Sequence, residues 1–200
     1  MTLLARIPKV RRLVIEAQTM ALDRLHPGTF GPGLRVYGWP IVDVVPGSTL
    51  RIGCCASLIS DPFFSEGANF HPVCLRTLHE GAEILIGDDV GMNGVTIAAV
   101  ESVRIGNGVL MGANATVVDT DFHPLAPKDR HRGDMLPPTA PTTIGDNVFL
   151  GYNSLVLKGV TIGRDAVVSA CSVVVRDVPA GAIVAGNPAR FAGWLEGYGD

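Results

Sequence analysis

From Ile144 the chain reads IGDNVF LGYNSL VLKGVT IGRDAV VSACSV VVRDVP AGAIVA, with an apolar residue at every sixth place: Ile144, Leu150, Val156, Ile162, Val168, Val174 and Ala180. The next residue is often Gly, and the fifth place holds a small residue or Val: Val148, Ser154, Val160, Ala166, Ser172, Val178 and Val184. An earlier block keeps the spacing, with IGDDVG MNGVTI from Ile86 and IGNGVL MGANAT VVDTDF from Ile105. Six fits neither the helical period of about 3.6 nor the strand period of about 2. It fits a short strand followed by a corner. Three such units close a triangular coil of about 18 residues, and successive coils stack in parallel at ~4.8 Å. The repeating aliphatic residue points inward, the fifth is small because the prism is narrow there, and Gly, Asn and Asp supply the corner dihedrals.

This rhythm divides the chain. Residues 1–29 hold a basic amphipathic helix, 30–85 degenerate first coils of shifted phase, 86–185 the clean repeat with a loop at 119–142, and 186–200 a C-terminal tail in which Trp194 and Leu195 seal the last coil against unpaired strand edges. In the helix, Leu3, Ile7, Val10, Val14, Ala17, Ala21 and Leu25 recur at helical spacing with Arg6, Lys9, Arg11 and Arg12 between them. That stripe is expected to pack on its own domain or a neighbouring subunit, and residues 1–25 also have the makings of a membrane-surface contact. Apolar residues at 47%, charged ones at 18%, 24 Gly and 14 Pro favour corners and buried strands. A net charge of −3 and 6% aromatics argue against nucleic acid as a partner. Cys54, Cys55, Cys74 and Cys171 form no CxxC pair and read as small buried hydrophobes in a reducing cytoplasm, and no apolar run is long enough to span a membrane.

The rhythm breaks once. The hexads at 105, 111 and 117 should continue at 123, yet the next clean one opens at Ile144, which throws 21 residues out of the coil. His123 stands where they leave, in DTDFHPLAP, and the body PLAPKDRHRGDMLPPTAPT is rich in Pro and charge, as an ordered arm over a neighbouring surface would be.

The hexads, DTDFHPL, IGDNVFLGYNSLVLKGVTIG and VAGNPAR together resemble the hexapeptide-repeat acyltransferases, above all sugar O-acetyltransferases of the galactoside and maltose type and the related enzymes of polysaccharide biosynthesis. The resemblance covers roughly residues 86–195. It implies an all-β fold dominated by a left-handed parallel β-helix, a homotrimer, acetyl-CoA or another acyl-CoA as co-substrate, no metal, and a cytoplasmic place or a peripheral one at the inner membrane surface. It implies His123 as the general base toward a sugar hydroxyl, since imidazole is largely neutral and able to accept at neutral pH. An oxyanion donor falls near Gly151 or Tyr152. Small residues at Ala170 and Gly181 would let the pantetheine arm approach, with Arg176 and Arg190 at its phosphate end and Lys158 as a third charge.

Asn93, beside Gly94 in GMNGV, is carried over as an acceptor contact, and Asp119 and Asp121 are further acceptor candidates or turn caps. His131, Arg130 and Arg132 read as a solvated charged face. His71 and His79 read as coil-edge histidines bonded to backbone, the alternative being that they face the acceptor pocket. The chain departs from the family at Phe149 (commonly Trp), Tyr152 (commonly Ser) and Val175 (commonly Thr), which bears on the acyl group and the wall of the thioester arm. Two other classes stand beside this one: a non-catalytic trimeric scaffold, and a γ-class carbonic anhydrase, whose zinc needs three converging histidines. None of His26, His71, His79, His123 and His131 pair at the His-x4-His spacing of that site.

Overall fold

The computed structural model describes residues 8–199 apart from 66, 68 and 134. Its body is a three-sided left-handed parallel β-helix. Sheet 1 runs β1 (Arg35–Tyr37), β4 (Ser57–Ile59), β7 (Gly91–Asn93), β10 (Leu110–Met111), β13 (Phe149–Leu150), β16 (Val167–Val168), β18 (Ala182–Ala185) and β19 (Arg190–Trp194). Sheet 2 holds β2 (Ile41–Asp43), β5 (Cys74–Thr77), β8 (Thr96–Ala99), β11 (Thr116–Val118), β14 (Leu155–Val156) and β17 (Val173–Val174). Sheet 3 holds β3 (Thr49–Ile52), β6 (Glu83–Ile86), β9 (Ser102–Ile105), β12 (Thr142–Ile144) and β15 (Thr161–Ile162). All pairings are parallel except β18 with β19. The chain visits sheets 1, 2 and 3 in turn, so the prism has three long ridges, and each ridge stacks equivalent corners.

Inside, the hexad residues form columns. Ile144 pairs with Ile162, Leu150 with Val168 and Val156 with Val174, and all six are buried. Each buried aliphatic side chain contributes about 1.5–3 kcal/mol of transfer free energy.

The ridge from sheet 3 to sheet 1 explains the glycine that follows each hexad residue. A Cβ on Gly106 would sit 2.4 Å from Asp146 Oδ1 and 2.7 Å from the Asp146 amide nitrogen in the next coil. The space is taken by a ladder: the amides of Cys54, Asp88 and Asn107 donate to Asp88 Oδ1 (2.7 Å), Asn107 Oδ1 (2.8 Å) and Asp146 Oδ1 (2.7 Å). Two residues beyond each glycine the backbone is left-handed, at Cys55, Asp89, Asn147 and Asp165, which suits the short polar side chains that usually stand there. This is the glycine ridge. Cys54 sits on it, and the hydrogen bond with Asp88, followed by burial, pushes its thiol up to about 11.

The cysteines are not buried, Cys55 and Cys171 being exposed and Cys54 and Cys74 partly so, and three features at the ends of the prism also differ from the expectation. Helix α1 (Pro8–Leu25) does not bury the stripe through Val14, Ala17 and Leu25, which is exposed; Leu3, Arg6 and Ile7 of that stripe lie outside the described residues. It packs through Ile15, Gln18, Thr19 and Leu22 on the first coil. Thr19 and Gln18 accept from the amides of Val36 and Gly38, and Leu22 enters the core. The polar residues face inward because they satisfy a coil end that lacks a preceding coil. Second, Ala180 leaves the inward column. Ile162 bridges to Val178 and Val168 pairs with Val184, so the last coil is two residues short. Third, Trp194 is half-exposed rather than sealing the end. The edge is covered by β19 itself and by the Tyr198 ring, which fills the space beside Gly181.

Candidate active site on two ridges of the prism

The ridge from sheet 2 to sheet 3 carries the excursion between β11 and β12. Its exit is tied down by Asp119, which is fully buried (0% exposed). Asp119 Oδ1 accepts from the Val100 amide at 2.8 Å, and Oδ2 accepts from Glu101 and Ser102 at 2.7 Å each. Acceptor contact is therefore not its work. A carboxylate without surface, clamped by three amides, anchors the loop to the coil above. The two limbs close on each other: Thr120 bridges Thr139, the Ala140 amide donates to the Asp119 carbonyl, and Thr142 Oγ1 donates to the Val118 carbonyl. Asp121 takes Lys158 Nζ at 2.6 Å, so the charge of Lys158 is matched inside the ridge rather than presented to a phosphate.

Beyond this anchor, Phe122 has φ 63° and its amide donates to Thr120 Oγ1 at 3.1 Å. A bulky residue in the left-handed region costs about 1–3 kcal/mol, a strain that marks functional turns. This turn sets His123 on the surface, lining a pocket of about 490 Å3 together with His79, Phe122 and residues of the arm. His79 Nδ1 lies 2.8 Å from the Glu80 carbonyl and His71 Nδ1 2.9 Å from the Pro72 carbonyl, so both are backbone-bonded, and His79 lines the pocket as well.

The ridge from sheet 1 to sheet 2 carries the other group. The Gly151 amide is occupied, donating to the Val168 carbonyl at 2.7 Å, so it is not an oxyanion donor. The next amide, Tyr152, makes no hydrogen bond among the described residues, and neither does that of Ala170 one coil on. Two unbonded N–H groups on successive coils make this the amide ridge. Gly181 is not on it: it lies under Tyr198, so its missing side chain accommodates the tail rather than a cofactor.

Sequence reasoning passed over a second excursion here, between β4 and β5. A 3-10 turn at Pro62–Phe64, capped by Asp61, leads to Phe70, whose amide donates to Asn114 Oδ1 at 2.8 Å. Phe70, 74% exposed, meets the Tyr152 ring edge-on at 6.4 Å. Asn93 Nδ2 donates to Ser65 Oγ of the same excursion. Asn69 Oδ1, Asn93 Oδ1 and Asn114 Nδ2 are buried there without partners. The Asp-Pro step at 61–62 and three phenylalanines among polar residues were the available signal.

His123, Asp121, Lys158 and Arg176 thus stand on the loop ridge, and Asn93, Gly151, Tyr152, Ala170 and Arg190 on the amide ridge, with sheet 2 between them. Arg176 and Arg190 are both exposed. One chain does not bring the two groups together. Among the described residues no three His, Cys, Asp or Glu side chains are grouped to hold a metal ion, and no helix is long and apolar enough to cross a membrane.

The family model for the hexapeptide repeat of succinyl-transferase matches residues 141–176. The galactoside O-acetyltransferase of Escherichia coli (strain K12) is 36% identical over 135 residues, 67% of this chain and 65% of that protein. That of Lactococcus lactis is 34% identical over 109 residues, 54% of this chain and 51% of the relative. The chain therefore spans about half to two thirds of the length of these relatives. A hexapeptide-repeat-containing acetyltransferase of Vibrio cholerae superposes with a TM-score of 0.58 at 27% identity, over 90% of this chain and 81% of that one. Repeat, coil and relatives agree: the chain is built of the hexapeptide repeat and is similar along it to the acetyltransferases that share that repeat.

Proposed function

We propose that this chain transfers an acetyl group from acetyl-CoA to a hydroxyl of a sugar or glycan, with His123 as general base. The observation that carries the reading is the placement of His123: a surface imidazole on a strained turn, at the mouth of the longest excursion from the coil, facing a pocket. A hydroxyl is a poor nucleophile at neutral pH, and a base that withdraws its proton during attack accelerates transfer by about 10²–10⁴. The hydroxyl proton passes to His123, and the imidazolium then returns it to the departing thiolate.

The amide ridge suits the thioester. The Tyr152 N–H is the available donor for the developing oxyanion, and the Ala170 N–H lies one coil along the path of an extended arm. Arg190 and Arg176 offer charge for the phosphate end. Two ridges that do not meet in one chain complete a site when the loop of one subunit lies over the amide ridge of the next. This supports a homotrimer with three shared sites. Relatives and solved neighbours named as acetyltransferases, including galactoside O-acetyltransferases, support the donor and the acceptor class.

The test is thiol release from acetyl-CoA with a panel of sugars and a water-only control, for wild type and His123→Ala, after CoA binding by both is confirmed. Loss of transfer with CoA binding retained supports the base. Wild type that binds no CoA overturns the reading. Light scattering checks the trimer.

A further inference from the structure

The pocket beside His123 is more basic than a neutral acceptor requires. His79 enters it from the loop ridge two coils above, and His123, Arg130, His131 and Arg132 enter it from the arm; among the described residues no carboxylate lines it. Three carboxylates of the same ridge are engaged elsewhere, Asp119 by three amides, Asp121 by Lys158, and Asp129 toward Arg132 at 3.9 Å, while Glu80 and Glu101 are exposed outside the pocket lining. Arg130 is preset, since its Nε and Nη2 both donate to the Leu125 carbonyl at 3.2 Å, which holds the fork and leaves Nη1 outside that bond. The backbone bond of His79 uses Nδ1 as donor, so its Nε2 donates to an anion in the doubly protonated ring. Leu78, Val100 and Met135 supply apolar wall. A volume of about 490 Å3 is in the range of small-molecule sites.

We propose that this pocket reads a negative charge on the acceptor: a carboxylate or phosphate borne by the saccharide, held by Arg130 with His79 and His131. The placement of the acceptor hydroxyl rests on the reading of His123 as the base; the anion site does not. Charge-assisted bonds from a guanidinium to such an anion are roughly twice as strong as neutral ones, and its planar fork selects for planar or tetrahedral oxyanions. The substrate class is then an acidic saccharide, a uronic acid or a sugar phosphate, rather than a neutral sugar.

Two arms test this with the full-length protein. In the first, histidine ring resonances are followed while galactose, galacturonate or galactose 1-phosphate is added to about 10 mM. His79 and His131 are expected to move with one or both anions and not with galactose. Arg130→Gln should weaken that response about tenfold or more, with Arg130→Lys between the two. The better of the two anions identifies the charge. In the second arm, the anionic sugar should exceed galactose about tenfold in kcat/KM, mainly through KM, and Arg130→Gln should abolish the advantage, with Arg130→Lys between the two. Equal response to galactose, or no response to either anion, overturns the inference. Anion binding without acetyl transfer to any acceptor would sink the proposed function and leave this site standing; transfer to galactose without an anion response would do the reverse.

Discussion

The glycine ridge and the loop ridge belong to the same coils yet do opposite things. On the glycine ridge, ladder side chains and backbone of the next coil fill the space beside the glycines: a Cβ at Gly106 would meet Asp146 Oδ1 at 2.4 Å, and Asp88, Asn107 and Asp146 direct their side chains into the ladder. On the loop ridge the ladder is replaced by one buried carboxylate, Asp119, and beyond it the chain is free to carry a strained turn, a histidine and a basic pocket. Where the ladder forms, the amides of Cys54, Asp88 and Asn107 are engaged by the coil itself. The proposed base stands on the ridge where the long excursion interrupts the repeat.

This contrast predicts a separation of stability from activity. His123→Ala should reduce acetyl transfer by about 10²–10⁴ while the melting temperature stays near that of wild type, because the side chain is exposed; a comparable fall in both would merge the two roles. Gly106→Val should do the reverse, costing about 3 kcal/mol or more in denaturant unfolding through backbone overlap, with kcat per folded molecule little changed.

Asp119→Ala sits between the ridges in character. It strands three amides, at a cost of about 2–4 kcal/mol, and frees the loop exit, so both the unfolding midpoint and the rate should fall. An unchanged rate would show that His123 is positioned without this anchor.

The smallest effect belongs to the C-terminal cap. Tyr198 Oη donates to Asp165 Oδ2 at 2.5 Å, which, with Asn147, holds the Asp165 carboxyl below its ordinary range and raises the Tyr198 phenol above its own. A lowered carboxylate contributes stability above about pH 4 that is lost as pH falls through the folded value. A raised phenol contributes below about pH 10, and its share is lost as pH rises through the folded value. Tyr198→Phe should therefore lower the melting temperature slightly at neutral pH and flatten both limbs of its pH profile.

How far the sequence could be read varies along the chain. The coils at 144–174 were legible because inward residues and corner glycines repeat without interruption, and each hexad repeats the same steric demand. The long loop was legible as a phase gap. The excursion at 60–73 was not, because the coils around it have no common phase from which a gap could be measured. Gly181 was misread for a related reason. Smallness in a sequence does not say which neighbour, here Tyr198, requires it.

The candidate site shows the same division. His123 stands out in the sequence as a candidate, whereas His79 and Arg130, which line the same pocket, read there as a coil-edge histidine and a solvated face. The occupied amide of Gly151 and the unbonded amide of Tyr152 look alike in a sequence, since every residue but Pro carries one N–H and only the stacking of coils decides which finds a carbonyl.

Short-range periodicity, by itself, determined the coil, its corners and the place where the coil is broken, because each follows from a steric rule repeated every six residues. Only the tertiary structure decided which face of α1 packs, which carboxylate is buried and which residues share a ridge, because those depend on chain segments many coils apart being stacked into contact.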